Sequence, residues 1–312
     1  MIYQHPLAYL AGLEGIALLR AFAGDYDRGF THARLAEVQA LLDLAGQIGD
    51  GADIPPVTTA EGYRTWAETY DHPGNRLIDY EQPIVRQILG RLPPGTALDA
   101  ACGTGRHADY LASLGHTVIG VDSSADMLEI ARAKVPGGEF REGDLHDLPV
   151  PDQHADIVVC ALALTHIPDL APVLAEFARV LRPGGHLVTS DSRGLLGSLS
   201  APIVMALPGG GLGYLPHYNH LTSDYLAAAL PLGLQVRQCE EPRLRDPVID
   251  QNETPWADAI PAYHPADHWS LQPWCPAATN AAYRDTPIAI IWHFQLSGSD
   301  PCPDRRTGES PQ

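Results

Sequence analysis

Short apolar segments bounded by turn residues alternate with stretches of helical periodicity over most of the chain. The apolar segments predict strands at 96–101, 117–121, 139–142, 155–161, 185–189, 234–241 and 288–296. Helical spacing of apolar residues predicts helices at 106–114, 124–134 and 170–181. Strands that alternate with helices in this way are typical of a parallel sheet covered by helices on both faces. The pattern therefore predicts an α/β fold.

Residues before about 60 follow a different pattern. Apolar spacing predicts one helix over Leu7–Arg20 and a second that Thr31 caps. The segment Gly46–Pro56 is rich in glycine and proline and predicts a linker. We expect the helical extension to pack on its own domain or on the partner in a homodimer. The helical extension is expected to cover residues 1–60, and the main domain residues 61–297. A long insertion is expected within that domain at about 244–286, and a flexible tail at 298–312.

Composition narrows the classes of partner. The 312 residues contain 20 Lys and Arg against 38 Asp and Glu, and the formal net charge of −18 repels nucleic-acid phosphates. No apolar stretch approaches the roughly 20 residues of a membrane helix. The first basic residue is Arg20, too late for the basic region of a signal peptide. The five cysteines show no metal or redox spacing. We expect a cytoplasmic protein with no bound metal, no nucleic-acid partner and no membrane partner.

The strongest local signal is the segment LDAACGTG at 98–105, where an apolar strand runs into a glycine turn and then a helix. Such a turn lets backbone amides approach a nucleotide-like ligand closely. Gly103 and the residues after it also fit the G-x-G-x-x-A dinucleotide fingerprint. Asp122 lies 19 residues beyond Gly103, where an acid that binds ribose belongs. The turn alone is therefore also compatible with an NAD-dependent oxidoreductase.

Three further features distinguish a dinucleotide from a nucleotide-like ligand that carries an amino group and a sulfonium. Asp99 lies at the end of its strand, where a pyrophosphate would meet a like charge but an amino group or a sulfonium would be attracted. Asp144 follows the third strand, where it can accept a hydrogen bond from an adenine amino group. The segments ALALTHIPD at 161–169 and LRPGG at 181–185 stand beside the fourth and fifth strands. An oxidoreductase leaves these acids unexplained.

Together these segments resemble those of class I S-adenosylmethionine-dependent methyltransferases, of the broad type that includes ubiquinone and menaquinone biosynthesis enzymes and glycine N-methyltransferase. The resemblance covers about Tyr63 to Thr189 densely and the last two strands more loosely. It implies a Rossmann-like, doubly wound, mostly parallel seven-stranded sheet with an antiparallel last strand. It also implies S-adenosyl-L-methionine as cofactor and methyl transfer by in-line displacement to a small-molecule acceptor, which it does not identify.

The resemblance also implies roles for cofactor-binding residues. Asp122 would hold both ribose hydroxyls, Met127 would pack on the adenine, and Asp144 with the Leu145 amide would meet the adenine edge. The methionine part would lie along Asp99 and the turn that contains Ala101, Cys102, Gly103, Thr104 and Gly105, with Ala161 nearby. The segment 63–71 resembles an aromatic helix that closes over the cofactor, and Tyr70 and Arg76 are candidates for binding the cofactor carboxylate.

One position in the turn departs from the family pattern. The family has glycine where this chain has Ala101. We expect the methyl group to be tolerated there if the backbone keeps a φ on the left, negative side of the Ramachandran map.

Residues on the acceptor side are expected after the fourth and fifth strands, at the carboxyl edge where open α/β sheets bind ligands. His166 follows the fourth strand as a candidate base, and it can equally cap the next turn. Asp191 ends the fifth strand and either faces the acceptor or caps the next segment. His217, in the segment PHYNH, is a candidate for the substrate wall. Trp274 of the insertion either lines an acceptor pocket or anchors the insertion. A non-methylating member of the fold that keeps the cofactor pocket stays open as a third function.

Overall fold

The computed structural model of the protein describes residues 1–66, 75–207, 210–249 and 268–298. Its strands are β1 Ile2–Gln4, β2 Ala52–Ile54, β3 Thr96–Ala100, β4 Thr117–Asp122, β5 Glu139–Glu142, β6 Ala155–Ala161, β7 Leu181–Ser192, β8 Ile203–Ala206, β9 Leu212–Leu215, β10 Leu234–Glu240 and β11 Ala289–Leu296. Its α-helices are α1 Pro6–Phe22, α2 Arg28–Asp43, α3 Ala45–Ile48, α4 Thr59–Trp66, α5 Arg76–Leu89, α6 Arg106–Ser113, α7 Ala125–Lys134, α8 Leu170–Val180, α9 Thr222–Ala229 and α10 Pro276–Tyr283.

The main sheet confirms the predicted Rossmann-like topology. Its seven strands lie in the order β10-β11-β7-β6-β3-β4-β5 within the described residues. Neighbouring strands from β7 to β5 pair in parallel, whereas β11 is antiparallel to both β7 and β10. The order of strands reverses between β3 and β6. A crevice therefore opens at the carboxyl ends of these two strands, where such sheets bind ligands.

Helices cover both faces of this sheet. On one face Phe177 of α8 and Tyr225 of α9 are buried against Trp292 of β11. On the other face α5, α6 and α7 contribute buried residues such as Val85 and Leu111. Because both faces are covered, a strand such as β6 is buried along nearly its whole length.

The N-terminal helices pack on the same chain. Leu10 and Leu13 of α1 share a buried cluster with Trp274 and with Ala278 of α10. Trp274 therefore anchors the end of the insertion, one of the two roles expected for it. Two other aromatic residues of the insertion, Trp256 and Tyr263, lie outside the described residues. Contacts within one chain cover this face of α1, and the homodimer stays a prediction.

Two expectations about the N-terminal region are wrong. Asp27, not Thr31, caps α2, because its carboxylate accepts from the Phe30 amide at 2.8 Å. The expected linker contains β2, which pairs antiparallel with β1. A strand of three residues is too short to show the apolar alternation that reveals longer strands.

A small hairpin that the sequence pattern did not reveal holds α4 beside the crevice. Strands β8 and β9 pair antiparallel, and Tyr214 of β9 exchanges backbone hydrogen bonds with Pro55 and Val57 at 3.0 and 2.9 Å. Gly62 of α4 lies so close to Leu215 that a Cβ there would stand 2.8 Å from the leucine side chain. The hairpin therefore fixes where α4 lies. None of the helices in the described ranges has the length and apolar character needed to cross a bilayer.

Candidate active site

A cavity of about 180 Å³ lies at the crevice, between the carboxyl ends of β3, β4 and β6 and the helix α4. The structure brings ten of the predicted cofactor residues together in its wall: Asp99, Ala101, Cys102, Gly103, Thr104, Asp122, Met127, Asp144, Leu145 and Ala161. The candidate base His166 lines the same cavity. Residues from four separate segments of the sequence therefore meet at one place.

The turn after β3 needs left-handed backbone at three positions. Gly103 and Gly105 have φ values of +52° and +80°, and a Cβ on Gly105 would lie 3.1 Å from the Ala131 Cβ of α7. Gly105 begins α6 and does not line the cavity. Ala101 has φ +58°, so the expectation of a negative φ there is wrong. A left-handed conformation costs a non-glycine residue roughly 1–2 kcal/mol.

Asp122 links this turn to the end of β4. Its carboxylate accepts from the Gly103 amide and from the Ser124 amide, each at 2.8 Å. Burial raises its pKa, although these backbone hydrogen bonds favour the ionised form. A carboxylate has about four acceptor positions, so Asp122 keeps capacity for two ligand hydroxyls.

Asp99 is the most unusual acid of the cavity. It is 2% exposed, and its Oδ2 has no hydrogen-bond partner among the described residues. Burial is the main cause that raises its pKa to about 7. A buried carboxylate oxygen without a partner is costly. A ligand cation placed against Asp99 would supply the missing partner.

A buried acid that sequence reasoning missed supports the cavity wall. Glu81 of α5 is fully buried and accepts from Arg106 and from the Ser190 hydroxyl, each at 2.7 Å, while His107 Nε2 lies 3.3 Å away. Burial alone would raise the pKa of Glu81, but the hydrogen bond from His107 and the charge of Arg106 lower it to about 2. Arg106 and His107 both line the cavity. A signal existed, because Glu81 falls in register with the buried face of α5.

The two predicted carboxylate-binding residues do not join the described cavity wall. Tyr70 lies outside the described residues. Arg76 is exposed at the start of α5, and its guanidinium donates to the Val248 carbonyl at 2.5 Å. Asp144 does line the cavity, but its carboxylate is largely exposed and bonds to the amide and ring of His146 at 2.7 and 2.6 Å.

Two of the three acceptor-side candidates lie behind the cavity wall. Asp191 is fully buried and accepts from the Thr165 amide at 3.0 Å and from the Tyr225 hydroxyl at 2.7 Å. Burial raises its pKa to about 7. His217 bonds to the Ser192 hydroxyl at 2.9 Å, and burial lowers its pKa to about 4. Neither side chain lines the cavity, so neither directly faces a ligand there.

The fold and the cavity place a candidate ligand site on a Rossmann-like sheet, and comparison with known proteins shows what the chain resembles. Residues 98–189 match the family described as methyltransferase domain. The chain is 36% identical over 143 residues to a Yersinia pestis malonyl-[acyl-carrier protein] O-methyltransferase, covering 44% of this chain and 53% of that protein. It is 42% identical over 101 residues to a Chlorobaculum parvum demethylmenaquinone methyltransferase, covering 32% and 42%. The chain spans about half the length of these curated relatives.

Solved structures agree in fold. A Haloferax volcanii methyltransferase candidate, solved in complex with the Trm112 methyltransferase activator, superposes with a TM-score of 0.53 at 20% identity, covering 77% of this chain and all of that one. At this identity the likeness concerns the fold. Residues 98–189 therefore match a methyltransferase domain, and the described fold is that of solved methyltransferase structures. The dehydrogenase alternative finds no support in these comparisons.

Proposed function

We propose that the protein transfers a methyl group from S-adenosyl-L-methionine to a small-molecule acceptor. The single observation that carries this proposal is Asp99, a buried carboxylate in the cavity wall with an oxygen that lacks a partner. An α-amino group meets that need, whereas the pyrophosphate of a dinucleotide would be repelled by it. The demethylmenaquinone and malonyl-carrier-protein relatives support the same class of reaction.

The cavity residues fit this cofactor along its length. Asp99 would take the amino group, and the turn from Ala101 to Gly105 would lie along the methionine part. Asp122 would accept from the two ribose hydroxyls, and Met127, which is 1% exposed, would pack on the adenine. Leu145 and Asp144 would meet the adenine edge. Arg106, already in the cavity wall, is a better placed cation for the cofactor carboxylate than the exposed Arg76.

Alignment of the reactants and exclusion of water are two parts that the chain would play in the reaction. When bound, S-adenosylmethionine supplies a methyl group that its positive sulfur already activates. The left-handed turn at Ala101 and the fixed helix α4 hold the two sides of the cavity, so a ligand between them is held in one orientation. Holding two reactants in line contributes on the order of 7–11 kcal/mol in well-oriented model systems.

Calorimetric titration with S-adenosylhomocysteine, run beside NAD, tests this proposal. We expect micromolar binding of S-adenosylhomocysteine and none of NAD. Because the pKa of Asp99 is about 7, the affinity should fall as the pH drops from 8 to 6, when the carboxyl takes up a proton instead of pairing with the ligand amino group. The Asp99→Asn variant should bind more weakly and lose most of this pH dependence.

A matched variant separates the site from general effects of charge. Asp109→Asn makes the same chemical change at an exposed position of α6 and should bind as the unaltered protein does. Binding of NAD without binding of S-adenosylhomocysteine would overturn the proposal.

A further inference from the structure

The turn that carries His166 is held by hydrogen bonds from two other parts of the chain, the end of β7 and the segment that follows β9. The Thr165 amide donates to Asp191 at 3.0 Å, and the Thr165 carbonyl accepts from the Tyr218 amide at 2.8 Å. His220 Nε2 lies 3.1 Å from the Leu164 carbonyl and 2.8 Å from the Ile167 carbonyl. The backbone on both sides of His166 is therefore fixed, and its imidazole is presented to the cavity from a rigid support.

The same surroundings fix which ring nitrogen of His166 carries the proton. Its Nδ1 lies 3.1 Å from the Pro216 carbonyl, which can only accept, so Nδ1 is the donor. Burial lowers the pKa of His166, which keeps the ring neutral near pH 7. In a neutral ring with a proton on Nδ1, Nε2 is an acceptor. That Nε2 lies 2.8 Å from the Tyr63 hydroxyl, which therefore donates to it.

Tyr63 connects this nitrogen to the cavity. It lines the cavity together with His166, and the two rings meet edge to face with centroids 5.5 Å apart. Its helix is fixed by the close packing of Gly62 on Leu215. Among the described residues, Tyr63 bonds to His166, and His217 lies within electrostatic range of it. His220 contacts the Leu164 and Ile167 carbonyls, and Asp191 accepts from the Thr165 amide.

We propose that Tyr63 and His166 form a proton relay for the acceptor, and that the acceptor group is therefore a hydroxyl. This inference rests on the methyl transfer proposed above. As the acceptor oxygen forms its bond to the methyl carbon and the carbon–sulfur bond breaks, the acceptor proton passes to Tyr63 Oη. The original Tyr63 proton passes to His166 Nε2, and the imidazolium later returns it to water. The sulfur leaves as a neutral thioether with the electron pair of the broken bond.

The chemistry of the wall favours a hydroxyl over the other acceptor groups. A carboxylate or a thiolate has no proton to lose, so a fixed basic nitrogen would serve no purpose beside it. An ammonium group would require a counter-charge, and the acids of the cavity wall are Asp99, Asp122 and Asp144, which are assigned to the cofactor. The lining residues that lie next to His166 in the sequence are the apolar Leu162, Ala163 and Ile167. A neutral hydroxyl needs an apolar surface and a base, and this wall offers both.

Nitrogen NMR of the protein labelled at its histidines tests the relay without turnover. The chain has 14 histidines, and the His166→Gln variant identifies the signals of His166 by difference. At pH 7.5 we expect a neutral ring with Nδ1 protonated and Nε2 unprotonated, and the Nε2 signal should shift in Tyr63→Phe. A protonated Nε2, as the other tautomer or as imidazolium, overturns the relay.

Turnover with matched probes tests the acceptor class. Labelled S-adenosylmethionine is supplied with 1-naphthol, 1-naphthylamine or 1-naphthalenethiol, which differ only in the accepting atom. We expect methylation of the naphthol, with a loss of about 100-fold or more in Tyr63→Phe and in His166→Gln. The double variant should lose no more than either single variant, because one relay is broken in each. Methylation of the amine or the thiol alone, or additive losses, overturns the proposal.

Two measurements separate this inference from the proposed function. If the unaltered protein fails to bind S-adenosylhomocysteine, the methyl-transfer proposal falls. If it binds but His166 has the wrong tautomer, only the relay falls. The His32→Gln variant, at an exposed histidine of α2, serves as the control and should match the unaltered protein in every assay.

Discussion

Replacement of Glu81 by glutamine tests how the cavity wall is supported. Glu81 is fully buried on α5 and holds Arg106 and the Ser190 hydroxyl at 2.7 Å. The glutamine keeps the size of the side chain but removes its charge, which leaves the mostly buried Arg106 guanidinium without its carboxylate partner. Breaking a buried ion pair in this way costs about 3–5 kcal/mol. The fall of the Glu81 pKa from 4.5 to about 2 corresponds to a similar size, about 3 kcal/mol.

Urea unfolding at pH 7 measures the effect. We expect the free energy of unfolding to fall by about 3 kcal/mol in Glu81→Gln and by less than about 0.5 kcal/mol in Glu129→Gln, an exposed control on α7. The sign of the pH dependence follows from the lowered pKa of Glu81. Its stabilisation is complete above pH 4.5 and is lost as the pH falls toward 2, so the two proteins should converge in acid.

Ligand affinity supplies a second readout. Arg106 and His107 line the cavity and lose their common partner in Glu81→Gln. The variant should therefore bind S-adenosylhomocysteine more weakly, measured under conditions where it is fully folded. A loss of stability below about 1 kcal/mol together with unchanged affinity would refute the reasoning, since it would mean that Arg106 finds its stabilisation elsewhere.

Three further changes have defined outcomes. Asp122→Ala removes a charged acceptor and should weaken S-adenosylhomocysteine binding about 10- to 100-fold by calorimetry; unchanged affinity would contradict the assignment of the ribose site. Ala101→Gly relieves the φ of +58° and should raise the free energy of unfolding by roughly 0.5–1 kcal/mol in urea, after the entropy of glycine is subtracted; a loss of stability would contradict the strain. Asp191 has a pKa of about 7 when folded against an ordinary 3.8, so it lowers stability as the pH rises from 4 to 7. Asp191→Asn should remove roughly 1.4 kcal/mol per pH unit from that slope, and an unchanged slope would show that burial does not perturb this acid.

The sheet was predictable because each strand carries its own signal. Segments such as 96–101 and 155–161 are apolar, bounded by turn residues and separated by helical periodicity, and they became β3 and β6 with boundaries within one residue. The predicted cofactor residues of the cavity could be found for a similar reason, since strand ends carry a local signal. Asp99, Asp122 and the glycine turn lie at the ends of strands, and the ends of parallel strands meet at one edge.

Local pattern could place Glu81 on the buried face of α5 but could not predict its partners, nor the hairpin β8–β9. Glu81 is 25 residues from Arg106 and 109 residues from Ser190 along the chain, and only the packing of α5 on the sheet brings them together. The hairpin β8–β9 consists of two four-residue strands, each too short for a periodic signal. His217 and Asp191 follow or end strands whose carboxyl ends lie near the cavity, but their side chains do not line it. The position of a residue at a strand end does not determine which way its side chain points.

The shape of the crevice depends on bonds across strand ends more than on the preferences of the residues there. Ala101 and Leu162 directly follow β3 and β6, line the cavity and share a φ of +58°, which neither alanine nor leucine favours. The amide of Cys102, the residue after Ala101, donates to the Val121 carbonyl of β4 at 2.9 Å. The Leu162 amide donates to the Ser190 carbonyl of β7 at 2.7 Å. These bonds pin each turn to the neighbouring strand, so the chain must bend sharply at the sheet edge. The two adjacent bends lead in opposite directions because the strand order reverses between β3 and β6. The space left between them is the cavity, which is why strained residues and cavity-lining residues coincide there.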